Sequence, residues 1–161
     1  MDLGIALDGN GRLGQPAAVT ALAGAADLLG YGSVWCIGPW AATLVGAVVA
    51  VSGRVRIGIE THDPGTISAA RAVGGDRLVV VERLPLWFRP VGETSTLPSG
   101  PVRIDAPARA IGEVSAGIVQ ACRLGISEVV VRLTDDPEID EALAAYAELA
   151  ELVEGPRTGH R

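Results

Sequence analysis

The sequence Leu29-Gly30-Tyr31-Gly32-Ser33-Val34-Trp35-Cys36-Ile37-Gly38 joins a helix-like run directly to an apolar, strand-like run. A second stretch, Leu124-Gly125-Ile126-Ser127-Glu128-Val129-Val130-Val131-Arg132-Leu133, repeats the pattern near the other end of the chain. The glycine in each joint suits a helix C-terminus, because it adopts a left-handed conformation at little cost. The apolar run that follows is typical of a parallel strand buried on both faces. The two joints therefore predict a β/α protein.

The first 81 residues continue this alternation of strands and helices. The apolar runs predict strands over Leu3–Leu7, Ser33–Ile37, Arg54–Ile59 and Leu78–Val81. Helical spacing and early prolines predict helices over Pro16–Leu29, Pro39–Val51 and Thr66–Val73. Four strands that alternate with three helices favour a parallel sheet with right-handed crossovers.

The alternation breaks near residues 84–101, a proline-rich excursion that is too irregular for a β/α unit. It resumes with a strand over Pro101–Asp105, a helix over Pro107–Leu124, a strand over Glu128–Leu133 and a helix over Pro137–Leu152. Residues 1–155 are expected to form a single domain, and residues 156–161 a disordered tail. The chain has 161 residues, whereas a full eightfold barrel usually needs ~250. An incomplete TIM-barrel-like (β/α) fold is therefore expected.

Composition excludes several classes of function. The net charge of −6 argues against nucleic-acid binding. All 13 basic residues are arginine, which excludes a lysine Schiff base and the lysine of a nucleotide-binding P-loop. Cys36 and Cys122 have neither metal-type nor disulfide-type spacing. The start of the chain is unlike a signal peptide, and the apolar run from Trp40 to Val51 is too short to cross a bilayer. A cytoplasmic protein without a membrane partner is expected.

The first 80 residues resemble the bacterial luciferase-like family of flavin- and deazaflavin-dependent oxidoreductases. Four pieces carry the resemblance in order and spacing: Leu3-Gly4-Ile5-Ala6-Leu7, the helix from Ala21 into Tyr31-Gly32-Ser33-Val34-Trp35, Gly53-Arg54-Val55-Arg56-Ile57-Gly58, and His62-Asp63-Pro64 with its following Ala69-Ala70-Arg71 and Gly74-Gly75-Asp76-Arg77-Leu78. Residues 125–152 also resemble the last strand and helix of that family. The chain departs from the family at Cys36-Ile37-Gly38-Pro39-Trp40, which replaces an acidic or histidine pocket residue, and at Val81-Glu82-Arg83, which replaces a glycine-rich turn.

Function in a parallel β/α barrel gathers at the C-terminal ends of the strands. This rule selects Asp8, Gly38, Trp40, Glu60, Thr61, His62, Glu82, Arg83, Asp105 and Thr134. The resemblance implies that Glu60 and Thr61 contact an FMN or deazaflavin cofactor, with Asp8, Gly38, Trp40 and His62 beside it. Glu60 and His62 are the candidate catalytic residues, because a histidine beside a carboxylate can transfer protons or donate to a ring nitrogen. The structural alternative is a helix entry in which Thr61 or Asp63 caps the next helix.

Other residues leave alternatives open. Trp35, Trp40 and the pair Trp87-Phe88 could stack on a flavin ring. The alternative for Trp35 is a place in the core. The alternative for Trp87-Phe88 is a lid or a surface that binds a partner. Arg83, Arg89 and Arg103 could bind a phosphate, or lie singly on the surface.

Two functions are compatible with these patterns. The first is a flavin- or deazaflavin-binding oxidoreductase or monooxygenase of the luciferase-like type. The second is a non-catalytic homologue that acts as a structural subunit or flavin-binding protein. Whether the chain is an enzyme stays open at this point. A homodimer that buries the helix over Pro39–Val51, or the Trp87-Phe88 segment, is expected in either case, because an incomplete barrel exposes strand edges and apolar helix faces.

Overall fold

The computed structural model describes residues 2–87 and 99–154. Within these ranges the elements are β1 (Asp2–Asp8), α1 (Pro16–Leu29), β2 (Ser33–Ile37), α2 (Ala41–Val51), β3 (Arg56–Glu60), α3 (Pro64–Gly74), β4 (Leu78–Val81), β5 (Val102–Ala106), α4 (Ile111–Arg123), β6 (Glu128–Leu133) and α5 (Ile139–Glu154). The chain is thus an α/β protein, as the alternating pattern predicts.

The six strands form one all-parallel sheet in the order β4-β3-β2-β1-β6-β5. The predicted parallel succession of the first four strands is therefore confirmed. Both Leu-Gly joints are confirmed as well, since Gly30 and Gly125 have φ angles of 85° and 84°. Gly30 is the C-cap of α1, and the strand that begins at Ser33 is buried along its whole length.

The observed element bounds differ from the predicted ones where side chains redirect the backbone. Strand β3 begins at Arg56 because the amides of Arg54 and Val55 donate to the carboxylate of Asp27. Helix α3 begins earlier than predicted, at Pro64, because the Asp63 carboxylate accepts from the Thr66 amide as an N-cap. The capping alternative at this helix entry is therefore confirmed for Asp63.

All five helices in the described part of the chain pack on one face of the sheet, where the main apolar core lies. Alternate strand residues such as Ile5, Val34, Ile57 and Val129 point into this core. Neighbouring helices follow the order α3-α2-α1-α5-α4, which matches the order of the strands beneath them. The opposite face, called here the inner face, carries a smaller apolar cluster that includes Ala6, Trp35 and Val130.

The sheet is strongly curved, and its two edges approach each other. Beyond β4, Leu86 forms a parallel bridge with Arg103 of β5, supported by a bond of 2.7 Å from the Trp87 amide to the Arg103 carbonyl. The side chains of Glu60 in β3 and Arg103 in β5 lie 3.7 Å apart. These strands are four spacings apart in strand order, about 19 Å in a flat sheet. Only a sheet that curls around its inner face brings the two side chains together.

Two predicted segments lie wholly or partly outside the described residues. The proline-rich excursion is described at its flanks, 84–87 and 99–101, and the rest of it, with Phe88 and Arg89, lies outside. The predicted tail, residues 156–161, also lies outside. No helix in the described ranges is both long enough and apolar enough to cross a membrane.

Candidate functional site

Charged residues gather on the inner face where the strands end. Strand alternation sends the last inward position of β1, β3, β5 and β6 to the same rim, because parallel strands finish on the same side of a sheet. We call the resulting group the C-terminal charge network; it consists of Asp8, Glu60, Asp105 and Arg132 at these positions, together with Arg103, one inward position earlier in β5.

Arg132 of β6 forms the centre of this network. Its Nε and Nη2 donate to the two oxygens of Asp105 at 3.1 and 2.6 Å, a bidentate pair. Its Nη1 donates to Oδ2 of Asp8 at 3.4 Å. The hydrogen bond with Asp105 is the main cause that raises the pKa of Arg132, against an opposing effect of burial. Three N–H groups of the guanidinium thus donate to two carboxylates.

Arg103 of β5 extends the network to β3. Its Nε lies 2.9 Å from Oδ1 of Asp105, an ion-pair contact whose geometry falls short of a hydrogen bond within the described chain. Its Nη1 lies 3.7 Å from Oε2 of Glu60, which also accepts from the Leu84 amide at 2.8 Å. Side-chain exposure across the network ranges from 14% for Arg103 to 34% for Asp8. Three carboxylates and two guanidinium groups thus nearly neutralise one another in a half-buried setting.

The middle of the inner face is closed by Trp35. Its side chain is 1% exposed and lies flat against Gly58, where a Cβ would come 2.1 Å from the indole ring. The indole Nε1 donates to Glu128 Oε1 at 2.8 Å. The core alternative for Trp35 is therefore confirmed, since no flavin ring can stack on a tryptophan packed in this way.

A second polar group lies at the opposite end of the inner face. We call it the N-terminal carboxylate cluster; it consists of Glu128, Ser33, Arg56 and Asp2. Glu128 is 5% exposed and accepts from Ser33, from Trp35 and from Arg56, the last at 3.0 Å. Each Glu128 oxygen has a donor, as a buried carboxylate requires.

The predicted site residues divide between the inside and the outside of the curved sheet. Asp8 and Glu60 belong to the C-terminal charge network. The Thr61 hydroxyl accepts from the Asp63 amide, so it serves the local turn. His62 is exposed and makes no hydrogen bond to any described residue. The two predicted catalytic side chains, Glu60 and His62, therefore lie in different surroundings.

Gly38 and Trp40 border the loop that follows β1. Gly38 has a φ of +85°, and a Cβ there would lie 3.2 Å from Asp8 Oδ1 and 3.3 Å from Asn10 Nδ2. A side chain at this position would therefore be both strained and crowded. Trp40 is 61% exposed and covers Gly9.

A pocket of about 330 Å³ opens beside Asp8, between the ends of β1 and β6. Its polar lining consists of Asp8, Asn10, Arg132, Thr134 and Asp136. Its volume is at the lower end of the range for small-molecule sites. A larger groove of about 660 Å³ lies between β5 and α4. Trp87 lies at one edge of that groove, and Glu113, Gln120 and Arg123 of α4 contribute polar groups to its lining.

The lining of the 330 Å³ pocket does not fit the phosphate of FMN or the anionic tail of a deazaflavin cofactor. Asp8 and Asp136 would face those anionic groups, and Arg132, the one guanidinium in the lining, is already paired. A phosphate site normally offers free guanidinium or amide donors. Within the part of the chain that the structure describes, the lining of this pocket therefore does not suit either cofactor.

The sequence analysis missed Arg132, the centre of the network, and predicted Arg103 as either a phosphate ligand or a single surface residue. The surface alternative is wrong for Arg103, whose side chain is 14% exposed and paired with Asp105. The available signal was a charge inside an apolar strand, as in Val129-Val130-Val131-Arg132-Leu133. Such a residue must either face solvent or find a partner on the inner face.

Comparisons with known proteins add no family assignment. No protein-family model matches the chain, and no curated protein or solved structure is significantly similar to it.

Proposed function

We propose that this chain is a reduced luciferase-like β/α barrel that acts as a structural subunit, binds no flavin or deazaflavin cofactor and performs no redox chemistry of its own. The observation that carries the proposal is the C-terminal charge network. It pairs Arg132 and Arg103 with carboxylates at the strand ends, where a cofactor ring of the luciferase-like type would have to lie.

The barrel component of this proposal is supported by the arrangement of helices and sheet edges. A doubly wound sheet carries helices on both faces, whereas the helices described here lie on one face. The strand order β4-β3-β2-β1-β6-β5, with β4 leading into a bridge to β5, is what a barrel gives when units between its early and late strands are missing.

The absence of redox chemistry is supported by the way that the inner face is filled. Trp35 packs against Gly58 in the middle, and above it Arg103 and Arg132 are paired with the carboxylates of Asp105, Glu60 and Asp8. A flavin ring would have to displace ion pairs and leave buried charges without partners, which is energetically costly.

A flavin- or deazaflavin-dependent oxidoreductase or monooxygenase is the second candidate. One feature of the 330 Å³ pocket favours this candidate: the pocket is lined by Asp8 and lies near Gly38. Both residues are expected to contact the cofactor. The acidic lining of the pocket weighs against it.

Titration of the purified protein with FMN, and separately with a deazaflavin, tests the choice through cofactor fluorescence and visible absorption. The proposal predicts no saturable binding. Saturable one-to-one binding would overturn it. In that case, His62→Ala should weaken binding by the ~1–3 kcal/mol expected for an unpaired polar group if His62 contacts the cofactor. Unchanged affinity would mean that His62 does not contact the cofactor and is only part of the loop that enters α3.

A further inference from the structure

The outer surface of helices α1 and α2 carries no exposed charged side chain of its own, and the Arg54 guanidinium lies at its edge, where it donates to the Asp27 carbonyl. The two helices pack side by side, and their exposed or half-exposed residues are almost all small or apolar. We call this surface the α1–α2 face; its members are Ala17, Ala21, Gly24, Leu28, Thr43, Gly46, Ala47, Ala50 and Val51. Leu28 is 85% exposed, the most exposed of the large apolar side chains in the described chain.

The one charged residue of these two helices is withdrawn from the surface. Asp27 is 18% exposed, and its carboxylate accepts from the amides of Gly53, Arg54 and Val55. Helix α2 has no charged residue at all. Helix α5, by contrast, is strongly acidic, with Asp140, Glu141, Glu148 and Glu151 along its length. Charge is therefore distributed unevenly around the ring of helices.

This distribution identifies the partner that the face suits. Two copies of a chain with net charge −6 repel each other, and this repulsion is smallest where they meet on faces that carry no like charges. A two-fold interface places each surface against itself, so an acidic helix such as α5 would meet its own like charges. A charge-depleted apolar face avoids that cost and has the composition of an interface core.

We propose that the α1–α2 face docks against the same face of a second copy of this chain. Small residues such as Gly24, Gly46 and Ala47 let the helices of two copies approach closely, because interaxial distance depends on the side chains at the contact. Leu28 gains an apolar environment that the single chain does not supply. This inference rests on the proposed function as a structural subunit, and it names a second copy of the chain as the partner of that subunit.

The size of the face sets the strength of the dimer. Helices of 14 and 11 residues are about 21 and 17 Å long. Side by side, at about 10 Å width each, they present roughly 400 Å² in projection. A standard interface buries about 800 Å² per partner. The dimer should therefore be weak and should dissociate in the micromolar range.

Sedimentation velocity from low micromolar to several hundred micromolar concentrations tests the proposal. The variants are Gly24→Glu and Gly46→Glu, because a Cβ at either glycine meets no atom within 4 Å and the fold should survive. The control is Ala116→Glu on the exposed face of α4, which adds the same charge far from the interface. Circular dichroism melting confirms that all variants are folded.

The parent chain and the Ala116→Glu control should dimerise as concentration rises. Each glycine variant should dissociate at least about tenfold more readily, because glutamates on a two-fold face repel each other. A parent that stays monomeric throughout, or a dimer indifferent to both glutamates, overturns the interface. The test involves no cofactor: a monomer that binds no flavin refutes the interface alone, and a dimer that binds flavin refutes the non-redox proposal alone.

Discussion

The two polar ends of the inner face solve the same problem in different ways. At the N-terminal end, one carboxylate, Glu128, is almost fully buried and has a donor for each oxygen. At the C-terminal end, five charged residues share their partners and stay partly exposed to solvent. Trp35 separates the two ends. The first end therefore depends on one buried carboxylate flanked by the more exposed Arg56 and Asp2, whereas the second spreads its charge over five side chains that are each 14% to 34% exposed.

Loss of the Trp35 side chain, which lies between the two polar ends, should have the largest effect on stability. Trp35→Ala should lower the free energy of unfolding by ~3–5 kcal/mol, because it leaves a cavity against Gly58 and a Glu128 oxygen without one donor. Urea unfolding measures the effect. The exposed Trp40→Ala serves as the control and should change stability by less than ~0.5 kcal/mol. Similar losses for both variants would mean that Trp35 is not the structural layer assigned here.

A glutamate-to-glutamine substitution at each end measures how much each carboxylate contributes to stability. Glu128→Gln should cost about 2–3 kcal/mol, because an amide nitrogen would face the Arg56 guanidinium in a buried site. Glu60→Gln should cost less than about 1 kcal/mol, because its pair with Arg103 is long and the side chain is 29% exposed. Denaturant unfolding of the two variants side by side gives the difference. Equal costs would mean that the burial of Glu128 does not distinguish it from the partly exposed Glu60.

A carboxylate outside the inner face supplies a smaller, pH-dependent effect. Burial raises the pKa of Asp27, but hydrogen bonds from the amides of Arg54, Gly53 and Val55 outweigh it, so the net pKa is lowered. Asp27→Ala should therefore cost about 1–2 kcal/mol at neutral pH. This stabilisation is present above the unfolded pKa near 4 and is lost as the pH falls through the folded value.

Unfolding curves at neutral and acid pH test that expectation. The gap between parent and Asp27→Ala should narrow below about pH 4. Asp76→Ala, which removes an exposed carboxylate in the turn before β4, is the matched control and should leave no such gap. A gap that widens in acid would reverse the sign assigned to Asp27.

The fold was largely predictable from the sequence because its signals are local. Ser33–Ile37, Leu78–Val81 and Glu128–Leu133 are observed with the predicted bounds, since each is an uninterrupted strand between turn formers. The Leu-Gly joints can be recognised from the sequence because they depend only on the residues directly before and after the glycine. The predicted bounds of an element were wrong where a side chain that is distant in sequence binds the backbone, as Asp27 does at the start of β3.

The candidate site was less predictable because it depends on curvature. Glu60, Thr61, His62 and Asp63 are adjacent in sequence, yet Glu60 reaches inward, Asp63 caps α3 and His62 lies exposed. The contact between Glu60 and Arg103 exists only because the sheet edges approach each other. No local pattern carries that information, so the strand-end rule found Asp8, Glu60 and Asp105 but not the arginines that pair with them.

The most direct test of the central claim, that the C-terminal charge network is structural, is a double-mutant cycle on its bidentate pair. The free energy of unfolding is measured for Arg132→Met, Asp105→Asn and the double variant. A structural network predicts that each single variant loses stability and that the two are coupled by about 1–3 kcal/mol. Single variants that are more stable than the parent, with coupling near zero, would contradict the account, because charges held for binding or catalysis often cost stability.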